Sequence, residues 1–166
     1  MVWNRQDSTK TALLDLLTEK RITNPLAVTL TLKQAYRVQT DYGSFVHRPD
    51  LIEYQKNNRY FFNSLNKKVF GKGFTRYKKR LAVFPVFEGS KDIRTHLHLT
   101  LERPSRIMPL EFADLIRDCW IKTNLGYRNI DIQEINNYDA WINYMLKNRT
   151  KSIDLLSCVD VENMYL

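Results

Sequence analysis

Cysteine, histidine, glycine and proline are all scarce in this 166-residue chain, at two, three, five and five residues. Cys119 and Cys158 form no CxxC pair, so they read as reduced thiols of an intracellular protein. No uninterrupted apolar run approaches the roughly 20 residues that span a bilayer, which argues against a membrane protein. The opening "MVWNRQDSTK" lacks the apolar core of a secretory signal, again favouring an intracellular location, cytoplasmic and nucleoid-associated if the chain is bacterial or phage-encoded. There is no internal repeat, low-complexity tract or Pro/Gly/Ser linker, so residues 1–166 are expected to form one domain.

What is present is a folding composition, 43% hydrophobic and 12% aromatic, with a net charge of +8. The charge is unevenly spread. Lys56 to Arg80 contains nine basic residues and no acidic one, interleaved with Tyr60, Phe61, Phe62, Phe70, Phe74 and Tyr77. Such a run suits a phosphate-facing surface whose aromatics pack the core or stack on bases; the alternative is a solvated basic helix and strand end. Lys67, Lys68, Lys72, Arg76, Lys78, Lys79 and Arg80 are the candidate nucleic-acid contacts.

Hydrophobic periodicity predicts the following elements. A helix capped by Asp7 or Ser8 runs to about Arg21, with Leu13, Leu14, Leu16 and Leu17 inward, in a helical N-terminal extension of about residues 1–24. "LAVTLTLK", Leu26 to Lys33, alternates as a half-buried strand. A helix follows from Pro49 to about Phe70, then a "GKGF" loop and a strand from about Lys78 to Glu88. Pro85 marks that strand as an edge or a bulge, since proline cannot donate to a ladder. After a "GSKD" turn, "IRTHLHLTLE" returns with Leu97, Leu99 and Leu101 on one side and His96, His98, Thr100 and Glu102 on the other. A helix from Pro109 stops at "NLG", Ile130 to Ile135 forms a strand, and a last helix covers about Tyr138 to Asn148. The sum is an α+β domain, an antiparallel sheet of four to five strands flanked by helices.

Two of the three histidines stand at positions i and i+2 of one strand, on one face and roughly 6.5 to 7 Å apart. That spacing lets both imidazoles reach one cation. If the hairpin turn centres near Asp92, Glu88 falls opposite His96 and supplies a carboxylate. Two imidazoles and a carboxylate leave coordination positions open, and the mixed N/O set suits Mg2+ or Mn2+. On the last helix, "YMLK" sets Tyr144 and Lys147 three residues apart on adjacent positions of one face, with the hydroxyl at the border of the apolar arc. A phenol's pKa is near 10, so a neighbouring ammonium and a metal-bound phosphate would help it attack. Tyr138, the other tyrosine of this helix, lies on the apolar arc. Each feature also has a plainer reading, as partly exposed strand histidines and a boundary tyrosine on a surface helix.

Taken in order, "VTLTL", His-Leu-His with an acidic residue eight positions earlier, and Tyr-x-x-Lys on a downstream helix resemble the HUH endonucleases. The closest likeness within them is to the single-tyrosine rolling-circle replication initiator (Rep) proteins of small circular DNA viruses, plasmids and phages. It covers about Leu26 to Lys147. The resemblance implies a central antiparallel, RRM-like sheet carrying the metal ligands, with the tyrosine on a helix lying across it. It implies a largely structural role for "VTLTL", metal binding by His96, His98 and Glu88, and attack by Tyr144 on a phosphodiester of single-stranded DNA, assisted by Lys147. The products would be a 5′-phosphotyrosine link and a free 3′-OH, without ATP. No GxxxxGK[ST] motif is present, so a separate helicase, and a polymerase, would be partners. A related HUH transposase would use the same chemistry. "HLTL" also fits one motif of the two-histidine phosphoesterases, but the remaining histidine, His47 in "VHRP", supplies no second. A non-catalytic basic nucleic-acid-binding module is the non-enzyme alternative.

Overall fold

A computed structural model describes residues 5–89, 93–147 and 155–166. Its centre is a four-stranded antiparallel sheet built from β1 (Pro25–Leu32), β4 (Val83–Glu88), β5 (His96–Glu102) and β6 (Gly126–Glu134), in the order β4-β5-β1-β6. A separate two-stranded hairpin joins β2 (Tyr36–Thr40) to β3 (Gly43–His47). The helices are α1 (Arg5–Glu19), α2 (Leu51–Phe70), α3 (Lys72–Tyr77), α4 (Pro109–Ile121), α5 (Tyr138–Met145) and α6 (Leu155–Cys158). This is the expected α+β architecture. No helix among the described residues is long and apolar enough to cross a membrane.

The period-2 alternation of β1 and β5 divides the core in two. Leu26, Val28, Leu30 and Leu32 of β1 join Leu97, Leu99 and Leu101 of β5 on one face, under α2 and α4, where Phe61, Leu65, Phe112 and Trp120 are all fully or nearly fully buried. The other face carries Phe84 and Val86 of β4, covered by Leu13 and Leu17 of α1 and by Tyr138, Ile142 and Met145 of α5. Between these apolar contacts the same face presents Thr29, Thr31, His96, His98 and Thr100. α2 starts at a complete capping box, with Asp50 accepting from the Glu53 amide at 2.8 Å and the Glu53 carboxylate accepting from the Asp50 amide at 3.0 Å. At the start of β6, Gly126 is required by close approach: a Cβ there would lie 2.3 Å from the Trp120 carbonyl.

Several boundaries differ from expectation. α1 begins at Arg5, ahead of the proposed cap. Of the expected "GKGF" loop only Gly71 lies outside a helix: the chain breaks there (φ 52) and winds again at once, so Lys72, Gly73 and Phe74 open α3. β4 begins at Val83 rather than Lys78, since Lys78 adopts a left-handed conformation (φ 53) that ends α3. β2 and β3 add a hairpin to the four expected strands. Most of their side chains are exposed on both faces, and "YRVQT" alternates over only five residues while "GSFVH" does not alternate, which leaves a weaker signal than that of β1. The turn expected over Ser90, Lys91 and Asp92 lies outside the described residues, as does Asn148, the expected end of the last helix.

Pro85 does sit on an edge strand, and that edge is covered. The C-terminal segment bridges Val83 to Tyr165 and Val86 to Val159, and the Asp160 amide donates to the Pro85 carbonyl at 3.0 Å. Asp160 is 0% exposed. Its Oδ2 accepts from Asn58 Nδ2 and from Asn163 Nδ2, each at 2.8 Å, whereas Asp160 Oδ1 and Asn58 Oδ1 have no partner among the described residues. Burial pushes the Asp160 carboxyl above the usual carboxylate range, against the pull of the Asn58 and Asn163 hydrogen bonds. A protonated carboxyl would carry one donor that the ionised form lacks. The folded state therefore keeps a proton that the unfolded chain loses near its ordinary pKa of about 3.9. Stability should fall as pH rises from there through the raised folded value, then level off. Asp160→Asn carries a permanent N–H donor and should lack this slope. Urea unfolding of both proteins across a pH series checks it: the wild type should lose stability relative to the variant as pH rises, and a pH-independent difference would contradict the account.

Candidate active site

β5 delivers its histidines to a shared sheet face, and its neighbours determine what they meet. In the β4–β5 register Glu88 pairs directly with His96, and Val86 with His98. In the β1–β5 register Thr29 pairs with His98 and Thr31 with His96. On the far side of β1, Asp131 of β6 pairs with Thr29. Val86, His98, Thr29 and Asp131 thus form one row across four strands.

The His98 ring is fixed at both nitrogens. Nε2 lies 2.5 Å from Glu88 Oε2, and Nδ1 lies 3.0 Å from Thr29 Oγ1. A neutral imidazole with its proton at Nε2 donates to the carboxylate and accepts the threonine hydroxyl at Nδ1. If Nε2 instead offers its lone pair, the proton moves to Nδ1 and Thr29 accepts it, because a hydroxyl can play either part. The threonine therefore orients the ring in both tautomers, as outer partners of ligating histidines do. The period-2 pattern marks Thr29 as sharing a face with the histidines, but the pattern alone does not distinguish it from Thr31.

α5 brings the tyrosine. Asn137 caps the helix, accepting from the Ala140 amide at 3.0 Å. Trp141 Nε1 donates to Thr100 Oγ1 at 3.1 Å, and Thr100 Oγ1 lies 3.3 Å from Met145 Sδ, which ties the helix across β5. Tyr144 stacks on Trp141, with centroids 5.4 Å apart and planes at 17°. It meets the His98 ring edge-on, with centroids 5.8 Å apart and planes at 87°. At 39% exposure Tyr144 is held but open to solvent. It lines a cavity of about 370 Å³ together with Thr29, Asp131 and Trp141. A second cavity, about 490 Å³, lies along His96, Thr31 and Arg128 and shares Thr29 and Asp131 with the first.

The other expected site residues are placed as follows. His96 lies beside His98, with ring centroids 6.2 Å apart and planes at 29°. Imidazole, imidazole and carboxylate on neighbouring positions of one sheet face match a divalent cation in donor chemistry. As placed, Glu88 is engaged with His98, and among the described residues no three His, Cys, Asp or Glu side chains surround a common point. Lys147 falls two residues beyond the end of α5 rather than on it; its amide donates to the Tyr144 carbonyl at 3.2 Å, and the residue is exposed.

The basic segment is elsewhere. Lys67 and Lys68 end α2, which packs against the opposite face of the sheet, and Lys68 is 3.7 Å from Asp118. Lys72 and Arg76 are on α3. Lys78, Lys79 and Arg80 precede β4 at the end remote from Glu88, a strand length of roughly 17 Å away, and Arg80 bonds Asn63 at 3.0 Å. The guanidinium groups nearer the histidines come from Arg94 and Arg128, which lie 4.4 and 6.0 Å from the Tyr127 ring centroid. A hydrogen bond from Arg94, with the charge of Arg128, lowers the Tyr127 pKa below its ordinary value. Arg94 stands two residues before His96, a sequence signal that Arg128 does not share, because Arg128 falls where the register of the β1–β6 pairing shifts.

Compared with family models, with curated proteins and with solved structures, the chain matches none of them.

Removing the Thr29 hydroxyl while keeping the side-chain shape tests the clamp on His98. Thr29→Val is expected to destabilise the fold by about 1 kcal/mol, the net value of one such hydrogen bond. Thr29→Ser should recover most of the loss. Urea denaturation of the three proteins measures both.

Proposed function

We propose that this protein is a single-tyrosine nickase and strand transferase for single-stranded DNA, of the kind that initiates rolling-circle replication. The observation that carries this reading is the contact between Tyr144 and the ring of His98, itself clamped by Glu88 and Thr29. A phenol, two imidazoles and a carboxylate, gathered on one sheet face beside open cavities, suit attack on a phosphodiester better than passive binding.

In this reading a DNA strand lies along the cavities of the site face, with Arg94 and Arg128 neutralising its phosphates. The Tyr144 oxygen attacks phosphorus and loses its proton. The P–O3′ bond breaks, and the departing oxygen takes up a proton to become the free 3′-OH. The 5′ side remains on Tyr144 as a phosphodiester, which a later 3′-OH can attack to rejoin the strand. A divalent cation, Mg2+ or Mn2+, held by His96, His98 and Glu88 would polarise the scissile phosphate. Thr29 keeps the His98 ring aimed, Trp141 supports the nucleophile, and Lys147 supplies an ammonium close in the chain to Tyr144. Unwinding and synthesis fall to a separate helicase and polymerase.

Incubating end-labelled single-stranded DNA with protein and Mn2+, then running a denaturing gel, tests the reading. Tyr144→Phe should abolish cleavage and the shifted covalent species while binding DNA as before; full cleavage by this variant removes the proposed nucleophile. His96→Ala combined with His98→Ala should abolish metal-dependent cleavage. Arg94→Ala and Arg128→Ala should each weaken DNA binding and lower the salt slope of log K by about 1. Unchanged slopes would place the strand elsewhere.

A further inference from the structure

The far face of the molecule carries a cavity that the proposed chemistry does not use. It measures about 420 Å³, within the range of small-ligand sites. One wall is a single stripe of α2, in which Glu53, Lys56, Asn57 and Tyr60 recur at i, i+3, i+4 and i+7. The facing walls are Tyr36 of β2 and the turn between α4 and β6, which contributes Lys122.

The wall at Tyr36 is fixed rather than loose. His47 Nε2 lies 2.8 and 2.9 Å from the two Glu53 oxygens, and the Tyr36 ring stands edge-on to His47 with centroids 5.1 Å apart. Because Glu53 also closes the capping box of α2, the exposed hairpin is tied to the helix at this point. Its carboxylate, held below its ordinary pKa first by the Asp50 amide and then by His47, is already engaged. Lys56 and Lys122 have no carboxylate within 4 Å among the described residues, and the Asn124 carbonyl beside them is taken up by the Lys33 ammonium, which donates to it at 2.9 Å. Asn57 is 7% exposed; its Oδ1 accepts from the Leu125 amide at 2.9 Å, while its Nδ2 has no partner among the described residues. A buried amide donor left unsatisfied carries a desolvation penalty that a ligand acceptor would remove. Tyr60, at 58% exposure, presents its ring at the mouth instead of to the core.

Two ammonium groups, two phenol rings and a spare amide donor around a cavity of this size fit one ligand chemistry: a planar aromatic group joined to a phosphate. We infer that this cavity binds a nucleoside 5′-phosphate, free or as one unit of a single strand, with Lys56 and Lys122 at the phosphate and Tyr60 at the base. The inference does not rest on the nicking reading, because no residue is shared with the Tyr144 site.

The test is a titration of the 15N-labelled full chain with thymidine 5′-monophosphate and, separately, with a ten-nucleotide oligothymidylate; thymidine and inorganic phosphate serve as controls. Amide shifts at Asn57, Asn124 and Leu125 are expected with at least one of the two probes. Binding read at these three amides should weaken at least tenfold in Lys56→Ala/Lys122→Ala and in Tyr60→Ala, whose altered side chains are exposed. Shifts with the mononucleotide support a free nucleotide as ligand, and shifts with the oligomer alone support a strand unit. No shift with either probe overturns the inference. So does binding at these amides that survives both variants, or inorganic phosphate binding there as tightly as the probes.

Discussion

The clamp on His98 joins three strands through one side chain. Thr29 reaches it from β1, Glu88 from β4, and the imidazole itself stands on β5. Because cross-strand register decides which side chains meet, a slip of one residue in either pairing would put an apolar side chain where Thr29 or Glu88 now stands. Two apolar clusters guard against that slip. The leucines of β1 and β5 are locked under α2 and α4 on one face, and Phe84 and Val86 are locked under α1 and α5 on the other. The polar positions are held between them by partners: His98 meets Glu88 and Thr29, and Thr100 meets both Trp141 and Met145.

The placement of Tyr144 follows from the same row. α5 is only eight residues long and could not hold a position alone. Trp141 anchors it to Thr100 of β5, one same-face position from His98, and then serves as the surface on which the tyrosine ring stacks. The sheet and the helix are therefore registered to each other by an indole hydrogen bond as well as by apolar packing. On the outer side of the sheet, β4 is closed by the C-terminal segment, whose buried Asp160 ties it to α2.

Much of the sheet was legible because half-buried strands write their burial into alternation. β1 and β5 read directly, and the pairing of Glu88 with His96 followed from hairpin symmetry even though the turn residues lie outside those described. The helical periodicity of α2, α4 and α5 was equally clear. What periodicity does not specify is which sheet face a helix covers. The basic run was therefore recognisable as a surface, yet its helix packs behind the sheet and its charges lie apart from the histidines. The β2–β3 hairpin and the C-terminal segment left little trace, since one is exposed on both faces and the other is held by isolated bridges and one buried carboxyl. Thr29 and Arg128 become functional candidates only once three-dimensional neighbours are known.

The account turns on Tyr144 being the atom donor that joins protein to DNA. Mass spectrometry of peptides from protein incubated with a single-stranded DNA library and Mn2+, after nuclease trimming, measures this most directly. A nucleotide phosphate mass on the peptide containing Tyr144, attached at the phenolic oxygen, is the predicted result. A nucleotide adduct on any other residue, or none in the presence of cleaved DNA, would contradict it.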